Sequence, residues 1–294
     1  MKRWLENPLL YYQLYGVTRN RWKRQPFLYG TAVFSIALVY LLLFQLVSFT
    51  EAGFVSTLSL CLFAMCLGAP LMAYNLFSLE YEKQTWETLA LTRLTAKEIL
   101  WGKWGTALMR VAGFTVLVLP LLLLGIHTDI SNDLATKLYR FVAGVLMLFG
   151  WGALIVSLGM WLSFKLRRTL TTASALYAGQ VFALMLLPLL LFIFTGGDVP
   201  IEFIGAIQSY REGIYWWIAS FLNAWALLFL NPFWAVYQLN LIGFGDDFLF
   251  PRGESYGVGL RYMGWGFVQG GVYLALALLF AGLTYRGLKY AWRK

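Results

Sequence analysis

The chain has 294 residues, of which 60% are hydrophobic and only 13% charged, with a formal net charge of +9. So little charge, with a mean hydropathy of +0.66, cannot cover the surface of a water-soluble domain of this length. Composition therefore excludes a soluble globular protein and points to a polytopic membrane protein. The basic excess flanks apolar runs, which fits contact with lipid headgroups and argues against nucleic-acid binding.

In chain order, the first element is an N-terminal helix over residues 1–26. Asn7-Pro8 supplies a cap and a proline at the first helical position, and Pro26 closes the element. Leu10, Leu14 and Val17 line one side with Tyr11, Tyr15, Thr18 and Trp22 beside them, so the helix reads as amphipathic and interfacial. A signal peptide fits poorly, because the charged region is too long and the apolar run is a full span. Crossing a bilayer takes about 20 apolar residues. Six stretches qualify: Phe27–Phe49, Ala52–Phe77, Val111–Ile126, Phe141–Phe164, Leu170–Phe194 and Tyr262–Tyr285. The expected fold is all-α, with six transmembrane helices.

Between the second and third stretches lies the most informative segment, Glu80 to Lys103. Residues 79–91 contain neither Gly nor Pro and read as one short amphipathic helix. Trp86, Leu89 and Ala90 gather on one side, and Glu80, Glu87 and Leu91 on another. Lys83 and Glu87 can pair weakly at four-residue spacing. Thr95-Ala-Lys-Glu98 then fits a capping box, so a new helix is predicted from about Ala96. Such a helix, break and helix would present an acidic face suited to docking a soluble partner.

The remaining chain offers few chemical candidates. Arg110 precedes the uncharged run and reads as a snorkelling rim residue, seven positions from Lys103 on the same face. His127, Asp129 and Asp133 make a poor metal site and read as a solvated loop. Cys61 and Cys66 read as buried, reduced, small hydrophobes. The uncharged stretch Ile214–Leu239 is interrupted by Asn231-Pro232 and reads as two short helices that enter the outer leaflet and return; a seventh span is the alternative. In the last stretch Gly266 and Gly270 form a GxxxG, continued by Ala277 and Ala281, for packing within one chain or between two. No lysine is followed by Ser or Thr, so the chain holds no P-loop, and it lacks HExxH and GxSxG. Lys and Arg concentrate in residues 1–24, 83–103, 165–168 and 286–294, which places both termini and the Glu80–Lys103 segment in the cytoplasm.

The segment resembles the coupling-helix region of ABC-2-type transporter permeases, the membrane subunits of ATP-driven exporters. That family's pattern is Glu-x-Glu-x-Gly-Thr-x-Glu-x-Leu, a Pro-Leu-Ser-like break, and Glu-Ile-Leu-x-Gly-Lys. Glu80, Glu82, Thr85, Glu87, Leu89, Leu94, Glu98, Ile99, Leu100, Gly102 and Lys103 match it; Gln84 replaces the usual Gly and Arg93 the usual Pro. Asn7-Pro8 is similar to the family's lead-in, with Tyr12-Gln13 in place of a basic-acidic pair.

The resemblance implies a single transmembrane domain over residues 1–294, with a cytoplasmic coupling helix and break at 79–95 and a re-entrant outer hairpin at 214–239. It implies no enzymatic activity and no cofactor in this chain, with ATP and Mg bound by a partner ABC ATPase. Glu80, Glu82, Thr85, Trp86, Glu87, Leu91 and Thr92 would dock that ATPase, and Thr95 and Glu98 would cap the following helix. A second permease half, identical or related, and membrane lipid are the other implied partners. The implied location is the plasma (inner) membrane of a bacterium. Apolar, aromatic spans favour a hydrophobic or amphipathic cargo. Two other classes remain: a non-transporting scaffold or signalling partner of an ABC ATPase, and a membrane enzyme using the Asp246-Asp247 carboxylates.

Overall fold

The computed structural model describes residues 26–49, 53–86, 94–127, 134–194, 231–233, 235–236 and 259–291. Among these residues every regular element is helical and no strand occurs. α1 is Pro26–Phe49, 24 residues without a charged side chain. α2 is Phe54–Ala73, followed by the five-residue α3, Ser78–Glu82. α4 is Ala96–His127 and α5 is Leu134–Leu166. α6, Thr169–Val181, runs through a π-helical turn at Phe182–Leu186 into α7, Leu187–Phe194. α8 is Gly259–Ala291.

Among the described residues, five helical segments are long and apolar enough to cross a membrane: Phe54–Glu82, Ala96–His127, Lys137–Leu166, Thr169–Leu190 and Gly266–Tyr290. They coincide with five of the six expected stretches. The N-terminal element before Pro26, the loop residues Asp129 and Asp133, most of the contested stretch 214–239, the carboxylates Asp246 and Asp247, and Glu87, Leu91 and Thr92 lie outside the described residues.

α2 and α5 form the centre. On α2, Phe54, Leu58, Cys61, Leu62, Met65, Ala69 and Ala73 are buried at helical spacing, so one whole face is covered by neighbours. Both cysteines are free and buried, and Cys66 Sγ accepts a hydrogen bond from Trp151 Nε1 at 3.1 Å. Close approaches replace bulky contacts along α5. A Cβ at Gly159 would lie 2.5 Å from that of Ala73, and one at Gly150 would lie 3.0 Å from the Gly270 carbonyl. The GxxxG of the last helix therefore packs within the chain, with Gly270 set against Leu146 and Gly150 of α5. Ala277 and Ala281 continue that buried face.

These contacts also fix direction. Phe54 meets Gly144 and Ala73 meets Gly159, so α2 runs parallel to α5. Gly270 meets Leu146 and Gly287 meets Phe164, so α8 runs the same way. Lys103 reaches Leu76 whereas Gly125 faces Thr57, which makes α4 antiparallel to α2. Tyr177 Oη donates to the Leu67 carbonyl at 2.8 Å and Thr169 meets Glu82, so α6 is antiparallel as well. Alternating directions gather residues 78–86, 94–103, 163–170 and 284–291 at one rim of the bundle. Three of the four expected basic clusters have described residues at that rim, and residues 1–24 lie outside the described residues.

Arg110 is exposed on the outside of α4, about 10 Å along the axis from Lys103. His127 ends α4. Of the contested stretch, Asn231 acts as a cap: its Oδ1 accepts from the Phe233 N–H at 3.0 Å, and Pro232 opens the helical turn. Its Nδ2 donates to the carbonyl of Leu184 at 3.3 Å, inside the π-helical turn.

Candidate functional site

Residues 80–86 and 94–103 form part of a joint between four helix ends. α2 ends at Ala73, and the chain turns through 74–77 before α3. The free N–H groups at the start of α3 need acceptors. Ser163, fully buried on α5, supplies one oxygen for both: its Oγ accepts from the Phe77 N–H at 2.9 Å and the Ser78 N–H at 2.7 Å.

The expected continuous helix over 79–91 does not form. α3 stops at Glu82, and Gln84 takes a left-handed conformation with φ of 56°. The physical reason is local. Once one residue adopts positive φ the helical hydrogen-bond ladder is broken, and Thr85 N–H instead donates to the Glu80 carbonyl at 2.9 Å. Gln84 stands where the resembling family has Gly, the residue that adopts this conformation freely. Gln84→Gly is therefore expected to raise stability by about 1 kcal/mol; thermal unfolding in mild detergent checks this, and a lower melting temperature would contradict it.

The expected outward acidic face is also not what forms. Glu80 turns inward and pairs with Lys103. The Lys103 side chain is 2% exposed, and its ammonium donates to Glu80 Oε1 and to the Leu76 carbonyl and lies 4.7 Å from the Phe77 ring centroid. Burying an ammonium in an apolar bundle is costly, so it must sit where both a carboxylate and a helix-end carbonyl meet it. Glu82 is exposed, yet its carboxylate is occupied too. It accepts from the Thr169 N–H at 2.7 Å and from Thr169 Oγ1 at 2.9 Å, capping the start of α6 from outside the helix.

Trp86 is half-buried. It stacks on Tyr81 at 4.8 Å between centroids and meets Phe77 and Phe164 edge-on at 6.2 and 6.1 Å. Arg167 covers the other side of the cluster, 4.9 Å from the Tyr81 ring. Thr95 and Glu98 form the reciprocal box at the start of α4: Thr95 N–H donates to Glu98 Oε2 at 2.8 Å, and Glu98 N–H to Thr95 Oγ1 at 3.3 Å.

Of the residues expected to dock a partner, Glu80 and Trp86 thus face the bundle, and Glu82 bridges to α6. Lys83, Gln84 and Thr85 form the exposed tip. Sequence reasoning did not single out Lys103, Ser163, Arg167 or Thr169 as site residues. Their partners lie 23 to 87 positions away, beyond the reach of any local pattern. The joint has no metal-ligating cluster among the described residues, and its acids are spent on structural bonds. What it can do is mechanical: it ties the end of α2, the start of α4 and the α5–α6 junction together. Comparison with protein-family models gives no match, and comparison with curated proteins gives none.

Proposed function

We propose that the chain is the permease subunit of an ABC-2-type exporter, with α1 as its first span and six spans in all. The residues of the outer stretch around Asn231 would form the re-entrant hairpin between the fifth and sixth. ATP would be hydrolysed by a separate subunit seated on the rim that carries Lys83, Gln84 and Thr85. The observation that supports this reading is the joint itself. Residues matching the family pattern (Glu80, Glu82, Glu98 and Lys103) make the bonds that stiffen it. A docked ATPase pressing on the tip would move a rigid piece. Lys103 carries that motion to α4, while Ser163 and the Glu82–Thr169 bonds carry it to α5 and α6.

The test is affinity purification of the tagged chain from gently solubilised native membranes. A P-loop ATPase should co-purify. It should be lost in the Lys83→Glu/Thr85→Arg variant, whose exposed side chains leave the unfolding temperature unchanged. Failure of any ATPase to co-purify, or full retention by the variant, would refute the reading. Glu80→Lys is unsuitable on its own, since it also breaks the Lys103 pair.

A further inference from the structure

We infer that the corner formed by the α5–α6 elbow and the end of α8 is a binding site for an anionic phospholipid. Five cations lie on the two elements that form it. Lys165, Arg167 and Arg168 come from the elbow, and Arg286 and Lys289 from the last turns of α8. The two elements are joined because α8 has Gly287 against Phe164, where a Cβ would lie 2.6 Å from the ring. All five side chains are exposed, and none makes an ion pair among the described residues. Acidic groups at this rim are already engaged: Glu80 by Lys103, Glu82 by Thr169 and Glu98 by Thr95. Glu82 keeps its charge and interacts with Arg168, so the corner sets five cations against one neighbouring carboxylate and stays net positive.

Two further features select a lipid over a soluble anion. Large apolar side chains border the cations on the bilayer side: Leu166 is 37% exposed, Leu170 79% and Tyr290 72%. A phosphodiester headgroup on the cations would lay its acyl chains along them. The second feature is Arg167 itself. It holds φ of 57°, a conformation that glycine adopts without strain. Its guanidinium rests 4.9 Å from the Tyr81 centroid, which orders the fork before any phosphate arrives. Arg168 follows directly in extended conformation as the residue preceding α6.

The inference rests on membrane embedding and not on the exporter reading. The test uses the purified full-length chain in an uncharged detergent, titrated with fluorescent phosphatidylglycerol or phosphatidylcholine. Phosphatidylglycerol should bind at least tenfold more tightly. Arg167→Gly/Arg168→Gln should weaken it about 25-fold, at roughly fivefold per cation near an anionic surface, and leave phosphatidylcholine unchanged. Because glycine suits the backbone at 167, the Arg167→Gly single variant tests the site without unfolding it. Equal affinity for the two lipids, or an unaltered variant, would overturn the proposal. So would displacement by millimolar glycerol phosphate, which marks a free-anion site. Loss of ATPase co-purification with lipid preference intact would mark a protein-docking surface instead.

Discussion

Lys103→Met is expected to destabilise the purified chain by about 3 kcal/mol, read from unfolding in mild detergent. Methionine matches the unbranched stem of lysine, so little cavity opens. What is lost is the ammonium between the Leu76 carbonyl and Glu80. Both acceptors are then left unsatisfied in a site where Leu76 is buried and the Glu80 side chain is 24% exposed. Glu80 Oε2 already has no hydrogen-bond partner among the described residues, so this carboxylate has no alternative partner in place. Removing both charges removes the unpaired carboxylate and leaves only the Leu76 carbonyl unsatisfied. The Glu80→Met/Lys103→Met double variant should therefore be more stable than Lys103→Met alone, by at least about 1 kcal/mol. Additive losses in the double-mutant cycle would show that the pair is not coupled.

Gly159→Leu is expected to be at least as damaging, at about 3 kcal/mol. Even the first carbon of a side chain would stand 2.5 Å from Ala73 Cβ and 3.0 Å from Leu176 Cδ1. Ala73 cannot rotate away, because its Cβ is fixed by the backbone of α2. Any substitution at 159 must separate α2 from α5 or displace α6. Intrinsic helix propensity favours Ala over Gly by about 1 kcal/mol, so Gly159→Ala alone should show a smaller net loss. Exchanging the two residues, as Gly159→Ala/Ala73→Gly, restores the spacing and should recover most of it. Gly179→Ala is the matched control: nothing lies within 4 Å of its added Cβ, and it should be neutral or stabilising. A Gly159→Leu variant as stable as that control would contradict the packing.

What could be read from the sequence was local. The start of α4 at Ala96 follows from two residues three positions apart, and Thr95 and Glu98 make those bonds. Asn231-Pro232 read as an interruption of its stretch, and the structure shows Asn231 capping a helical turn there. Long apolar runs gave the spanning helices because their length is set by the bilayer rather than by neighbours. Where tertiary contacts decide, local pattern failed. The amphipathic periodicity of 79–91 counted Gln84 as one more helical residue, whereas the chain breaks there. Glu80 looked like part of a solvated stripe because its partner Lys103 is 23 residues away. Ser163 sits inside an unremarkable apolar helix, and only the fold shows that its hydroxyl serves two N–H groups of another helix.

Only two residues, Arg167 and Arg168, separate α5 from α6. That brevity constrains how the chain is made. Two residues cannot cross a bilayer or wait on one side of it, so neither helix can choose its orientation independently. In a bilayer α5 and α6 therefore form a single hairpin, with the basic elbow at one surface and the far ends of both helices at the other.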